Sequence, residues 1–378
     1  MKARHNRNNL SVLFTVHQFW PEVGGSGEVV YRIAKNLVLD GYDVSVVTGK
    51  FARRNSTEVD GIKIVEFDIG GGKVKGYRGD YDEIKRYKQF LLDSNFDVSI
   101  NYAAQTWTTD IFLENIEHIK SKKILVPCGL SGLVDPRYFF YFKWWMPKKL
   151  RYYDKFVFLS CCYQDKDYHK KCGLGNDVII PNGADESEFL SPVKEDVRKK
   201  FGINTKYLAI CVSNFNFLKG QDFVIRAFNK LIRDDITLVL VGRENNGSYL
   251  KLLRLMSKKN NRILILTDLD REETVDLFKS SDMFLFGSRI ECSPLVMFES
   301  FASKTLFITK SVGNTPEYHE YVQLVKDPKQ MAFYINSFCD GDAMLSKKVT
   351  KSFEKYKQDH TYKILYEKYK KIIEELVY

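Results

Sequence analysis

Three short clusters in this chain hold residue types that can recognise an anion and a polyol together. The run Val212-Ser213-Asn214-Phe215-Asn216-Phe217-Leu218-Lys219-Gly220 leaves an apolar, strand-like segment and enters the helical pattern 221–231. A lysine there adds its charge to the positive end of a helix dipole, a combination that suits a diphosphate. A lysine simply held in water is the competing reading. Further on, Gly287-Ser288-Arg289-Ile290-Glu291-Cys292-Ser293-Pro294 precedes a helical pattern reaching about residue 302, with Ser293 expected as its N-cap and Pro294 as its first residue. The free N–H groups of that helix make a second anion site, flanked by Glu291 and Glu299. Carboxylates beside an anion site serve a purpose if they accept from hydroxyls, which sugars and riboses supply; internally satisfied buried glutamates are the alternative. The third cluster, Pro21-Glu22-Val23-Gly24-Gly25-Ser26-Gly27-Glu28, follows the apolar run 12–16 and opens a helix. Glycines at such a place let backbone approach a phosphate or sugar, or merely form a flexible turn. The pattern is not G-x-G-x-x-G, so a nicotinamide-dependent dehydrogenase is disfavoured.

Something must hold these clusters at the edge of a sheet. Apolar runs 12–16, 44–48, 62–67, 98–102, 124–126 and 156–159 alternate with helical patterns such as Val29-Val30-x-x-Ile33-Ala34-x-x-Leu37-Val38. After a turn at Pro181-Asn182-Gly183 a second series begins, with runs 207–212, 237–241, 263–266, 283–286 and 305–309. Repeated βαβ units imply parallel sheets covered by helices on both faces. The expected architecture is α/β with two Rossmann-like domains, residues 1–184 and 185–358. A final helix, 359–378, carries Tyr362, Leu365, Tyr366, Tyr369, Ile372, Ile373 and Leu376 on one stripe and packs on something, the first domain by the resemblance given below.

The bulk numbers narrow the class. A chain of 378 residues with 44% hydrophobic and 28% charged residues is globular and long enough for two domains. The basic start 1–9 precedes an apolar run too short for a secretory signal, and no run approaches a membrane span, so a cytoplasmic protein is expected. Seven cysteines, odd in number and without C-x-x-C spacing, read as reduced. The net charge of +10 fits an anionic partner, but no nucleic-acid motif accompanies it, and nucleic acid is not expected. The D-x-D triplets at Asp80/Asp82, Asp165/Asp167 and Asp268/Asp270 raise a metal-dependent alternative; only the last follows a clear strand, and no metal or other cofactor is expected. Aromatic and basic residues interleave most densely over 137–155, which suits a membrane interface or a lipid-linked acceptor equally with a helix buried on one side and ended by Pro147.

Glu291 and Glu299 in an E-x7-E pattern, followed by Val312-Gly313-Asn314-Thr315-Pro316-Glu317, resemble the retaining GT-B glycosyltransferases of family 4, the glycosyl transferases group 1. Ile180-Pro181-Asn182-Gly183-Ala184-Asp185, Lys219-Gly220, the Gly24-Gly25 loop and Val239-Leu240-Val241-Gly242 fall in that family's order, so the resemblance covers about residues 12–325. It implies two parallel sheets facing an interdomain cleft, and metal-independent, hexosyltransferase-like transfer from a nucleotide-sugar to a glycan or lipid-linked acceptor. If 137–155 meets the membrane or a lipid-linked acceptor, cell-surface polysaccharide synthesis on the cytoplasmic face of the membrane would be the setting. It implies roles as well: Lys219 and Glu291 as the catalytic pair, with Lys219 neutralising the leaving diphosphate beside the Leu295 and Val296 N–H groups. Glu291 would meet the transferred sugar and Glu299 the ribose, while Leu269 lies near the base and Gly25, Asn214, Ser293 and Pro294 complete the donor site. Gly24, Cys128 and Arg137 are the acceptor-side positions. Two departures stand out. The family places an arginine where this chain has Asn214, with Arg243 or Arg289 as candidate substitutes, and a histidine in the region that here reads Val126-Pro127-Cys128-Gly129. Asn214 keeps a second class open, a non-catalytic binding protein with a decayed donor site.

Overall fold

The computed structural model describes residues 10–21, 24–244 and 247–378. The basic start, Glu22-Val23 of the glycine loop and Asn245-Asn246 lie outside the described residues. The chain divides into two compact units, Met1–Pro181 with Lys363–Tyr378, and Asn182–Tyr362.

In the first unit, strands β1 (Ser11–Thr15), β2 (Asp43–Gly49), β3 (Glu58–Val59), β4 (Ile62–Phe67), β7 (Val98–Tyr102), β8 (Lys122–Val126), β9 (Lys155–Phe158) and β10 (Asp177–Ile179) form one sheet. A separate antiparallel hairpin joins β5 (Ile69–Gly72) to β6 (Gly76–Gly79). The sheet order is β10-β9-β8-β7-β1-β2-β4-β3, parallel except where β3 meets β4. Parallel strands covered on both faces read as continuous apolar runs, which is why these segments were visible in the sequence. β7 tolerates its polar residues because each is paired: Ser99 Oγ lies 2.7 Å from Ser121 Oγ, and Asn101 bonds Thr15 at 2.8 Å and Tyr153 at 2.6 Å.

The helix Tyr362–Val377 belongs almost wholly to this unit. Its stripe Leu365, Tyr366, Tyr369, Ile372 and Ile373 is buried. Tyr366 and Lys370 both reach Asp40, and Tyr42 donates to Glu374 at 3.0 Å, which ties the helix to the turn before β2.

The second unit holds β11 (Tyr207–Val212), β12 (Ile236–Gly242), β13 (Ile263–Thr267), β14 (Met283–Phe286), β15 (Leu306–Lys310) and β16 (Gln323–Val325), ordered β13-β12-β11-β14-β15-β16 and parallel throughout. Ala184 pairs with the 360–362 segment of this unit, so the chain divides before it, at Pro181. In each unit the strand order reverses beside the first strand of the series. β1 lies between β7 and β2, and β11 between β14 and β12. Open parallel sheets bind ligands outside the carboxyl ends of the strands at such switch points.

Candidate functional site

At the second switch point, two loops leave adjacent strands and touch. The one after β11 forms a tight turn, Phe217–Lys219, held by Asn216, whose side chain accepts from the Lys219 N–H at 3.2 Å. Gly220 follows with φ +66°, and its backbone lies against Gly287 at the end of β14 so closely that a Cβ on it would stand 2.1 Å from the Gly287 oxygen. That contact places the two loops in register. Arg289 N–H then donates to Leu218 O at 2.8 Å, and Lys219 Nζ reaches Glu291 Oε1 at 2.7 Å. Ser288 Oγ holds the same carboxylate oxygen at 2.8 Å. The lysine is half-buried and the glutamate more so.

The helix Leu295–Ala302 begins immediately after. Ser293 is not its N-cap and Pro294 is not its first residue; Pro294 is the cap, with no side-chain bond. The Ser293 hydroxyl is engaged instead by the Asn314 amide at 2.9 Å, and the Ser293 carbonyl accepts from Asn182 at 2.7 Å. The Asn182-Gly183 and Asn314-Thr315-Pro316 motifs therefore brace this turn. Among the described residues the Leu295 and Val296 N–H groups have no acceptor. Glu299, buried one turn below them, pairs with Arg271 at 2.8 Å. Arg271 opens the helix Arg271–Lys279 two residues after half-buried Leu269, so Leu269 and Glu299 meet the same local framework.

Asn214 is exposed, and its carbonyl accepts from Gln221 at 3.0 Å. Arg289 does not replace the missing cation. Its guanidinium forks onto Asp222 at 2.9 and 2.8 Å and lies 3.9 Å over the Phe217 ring, so it is committed to holding the Phe217–Lys219 turn. Burial would raise the Asp222 carboxyl, but Arg289 and Tyr249 outweigh it and leave the group below its usual range. Arg243 pairs through its carbonyl with Phe215 N–H at 2.9 Å, one residue from Asn214. A cation the sequence reading passed over is Lys310, at the carboxyl end of β15. Burial, with Arg289 nearby, lowers its pKa, Asp222 opposing.

In the first unit the acceptor-side positions are less coherent. Gly24 caps the helix Gly25–Leu39 at the edge where β1 ends. Cys128 sits after β8 at φ +58°, and burial, with Asp165 nearby, pushes its thiol up, which keeps it protonated. Arg137 is exposed and forks onto Asp135 at 2.6–3.1 Å. No hydrogen bond or ion pair joins these three among the described residues. No histidine directly follows β8, but one follows β1. His17 follows β1 at the first switch point, exposed, with its Nδ1 accepting from the buried Trp107 indole N–H at 3.0 Å. Four non-glycine residues with left-handed backbone, Ala103, Gln105, Cys128 and Leu130, follow the neighbouring ends of β7 and β8. A lone histidine after a strand gave the sequence no spacing to flag it.

Residues 193–358 match the family model described as glycosyl transferases group 1. That segment of the chain is similar to a group 1 glycosyltransferase domain. An N-acetyl-alpha-D-glucosaminyl L-malate synthase of Bacillus anthracis is 29% identical over 142 residues, 36% of this chain and 36% of that protein. The chain spans half or less of the length of the curated relatives it matches. A sucrose-phosphate synthase from Thermosynechococcus elongatus superposes with a TM-score of 0.78 at 15% identity, covering 97% of this chain and 98% of that one. A structure of Anabaena HepE in complex with UDP-glucose gives 0.76 at 15% identity, with 97% and 99% covered. At these identities the likeness is one of fold, and the fold is GT-B.

The matched segment contains Lys219, Glu291, Leu295, Val296 and Glu299 of the second-unit cluster. In each of the three D-x-D triplets one aspartate has a local structural partner. Asp270 caps the helix Arg271–Lys279 with a reciprocal Glu273 bond, and Asp80, outside the matched segment, caps Tyr81–Asp93. Asp165, also outside it, accepts from Gly129 N–H at 2.9 Å, and burial pushes its carboxyl up to about 6.

His17 yields a test of its own. Although the residue is exposed overall, burial of its ring first, and Arg78 second, hold its pKa below the ordinary 6.5. On acidification the unfolded chain takes up a proton at this residue before the folded chain does. Stability is therefore lost as pH falls through about 6.5 and the loss ends below the folded value. Urea unfolding at pH 7.5 and 5.5 checks this: wild type loses more stability between them than His17→Gln. Equal losses would mean that burial and Arg78 do not hold the ring neutral.

Proposed function

We propose that the protein is a retaining, metal-independent glycosyltransferase that moves a sugar from a nucleotide-sugar onto a glycan or lipid-linked acceptor in cell-surface polysaccharide synthesis. The observation that carries the reading is the Lys219–Glu291 pair, 2.7 Å apart beside the free N–H groups of Leu295 and Val296. An incoming diphosphate competes for the ammonium and takes the two N–H groups; the sugar's hydroxyls take over the carboxylate. Charge then develops on the leaving diphosphate where fixed donors already point, which is how a preorganised site lowers a barrier. Lys310 adds positive potential on the same sheet edge. The Anabaena protein bound to UDP-glucose makes UDP-sugars the first candidates. Thermal shift against UDP-, GDP-, ADP- and CMP-sugars, with and without EDTA, tests the reading. A ligand at a hundredfold its Kd stabilises by about 2.7 kcal/mol. A hit that EDTA abolishes would overturn metal independence, and no hit at all would remove the donor site.

The acceptor reading rests on 137–155. Tyr138, Tyr141, Phe142, Met146 and Leu150 are buried, whereas Phe139, Phe140, Trp144 and Tyr152 are 52%, 64%, 52% and 45% exposed. Pro147 does not end the helix: a wide turn over Tyr141–Trp145 precedes it and Met146–Leu150 continues through it. The Phe140 and Trp144 rings stack at 5.0 Å, with Lys143 over Phe139 and Trp144. A ring platform under a cation fits an anionic lipid surface or a lipid-linked acceptor. No helix among the described residues is long and apolar enough to cross a membrane, so contact would be peripheral. Phe140→Ala with Trp144→Ala is expected to weaken flotation with phosphatidylglycerol vesicles at least about tenfold, since one such side chain is worth about 1.5–3 kcal/mol on burial. Wild-type protein that fails to float would end the membrane version.

A further inference from the structure

Two adjacent cysteines stand apart from the other five. Cys161 and Cys162 are both exposed, their Sγ atoms 3.0 Å apart, in the short loop between β9 and the helix Gln164–Lys171. Cys211 and Cys339 are buried, and Cys128, Cys172 and Cys292 are half-buried. The loop is tied at both sides: Cys162 N–H donates to the buried Ser160 hydroxyl at 3.2 Å, and Gln164 donates to Gly129 O at 2.7 Å and Leu130 O at 3.1 Å. Neither thiol can move far from the other.

We infer that Cys161 and Cys162 form a site of reversible covalent modification, a vicinal dithiol that closes to a disulfide by exchange with a low-molecular-weight disulfide. The thiolate of one cysteine attacks the external disulfide and expels one thiol, giving a mixed disulfide on the protein. The thiolate of its neighbour then attacks that protein sulfur and expels the second thiol. One external disulfide is reduced to two thiols, the protein pair is oxidised by two electrons, and the two protons go to the expelled thiolates. Consecutive α-carbons lie about 3.8 Å apart, shorter than the roughly 4.4–6.8 Å that disulfides prefer, so the ring forms under tension and reopens readily. That is the behaviour of a regulatory bond and not of a structural one. The tension is transmitted to Gln164, and through it to the Cys128–Leu130 turn, whose backbone is already left-handed at three residues.

The test uses the full chain and oxidised glutathione, followed by alkylation, digestion and mass spectrometry, and needs no substrate. The expected result is a peptide carrying both cysteines that is lighter by two hydrogens, resists alkylation and is restored by dithiothreitol. Cys161→Ser and Cys162→Ser are each expected to stop at a persistent glutathione adduct on the remaining thiol. One equivalent of phenylarsine oxide is expected to protect both wild-type thiols from alkylation. A glutathione adduct persisting in the wild type, pairing of either cysteine with a third thiol, or alkylation of both thiols despite the arsenical would overturn the proposal. The wild-type readouts stand even if a variant fails to fold.

Discussion

Lys219→Ala is expected to cut sugar transfer steeply while leaving the protein folded. The lysine's partner is a carboxylate that retains Ser288 at 2.8 Å, and the ammonium is one-third exposed, so losing the pair costs no more than about 1 kcal/mol of stability. Its loss from a developing diphosphate is a different matter: removing one preorganised donor from a transition state lowers kcat about 10²–10³-fold. Glu291→Gln separates the two halves of the site. Lys219→Ala is expected to weaken binding of the nucleoside diphosphate and the nucleotide-sugar alike, because both carry the phosphates. Glu291→Gln is expected to spare the nucleoside diphosphate and weaken the nucleotide-sugar, because only the latter brings the hydroxyls. The double variant is expected to cost less than the sum, since the residues touch and act together. Calorimetry with UDP and UDP-glucose, and turnover once a donor is known, give the answer. Near-wild-type turnover in Lys219→Ala would remove the site assignment.

The parts of this site that were legible in the sequence are those that local chemistry dictates. Runs 207–212 and 283–286 could be read because strands buried on both faces must be apolar, and both are strands over those same residues. Lys219 stood out because it adds its charge to a helix N-terminus, Glu291 because a carboxylate beside an anion site serves a purpose if it meets hydroxyls, and the family resemblance joined the two. What failed was whatever depends on a partner distant in sequence. Ser293 has an N-cap's residue type and position, yet Asn314 and Asn182 claim its hydroxyl and carbonyl, and the helix starts one residue later. Arg289 looked available to a phosphate until Asp222, 67 residues away, was seen to hold it with two bonds. His17 was invisible for the same reason: its ring is fixed by Trp107, at a sequence separation of 90. The aromatic stretch was undecided because its apolar residues divide between a buried and an exposed face, a division that composition alone does not resolve.

Gly287→Ala damages the same site by the opposite route, through the fold. A Cβ at Gly287 would lie 2.2 Å from Gly220 O and 3.1 Å from its carbonyl carbon, both backbone atoms with no side-chain freedom to yield. Gly220 cannot retreat easily, since its own left-handed φ of +66° sets the turn from Lys219 into the helix Gln221–Phe228. The loops after β11 and β14 must separate by the better part of an ångström. The expected cost is about 3 kcal/mol or more, in the range of overpacked cores, and a second-unit melting transition lower by about 6–12 °C. Separation also draws Lys219 away from Glu291, so donor binding and stability fall together, whereas in Lys219→Ala only binding falls. Calorimetric melting with and without UDP-glucose distinguishes the two variants on one instrument. A Gly287→Ala protein with wild-type melting and wild-type binding would mean that the Gly220–Gly287 approach does not set the spacing between the two loops. The Lys219–Glu291 distance would then have to be fixed by Ser288 and Arg289 alone.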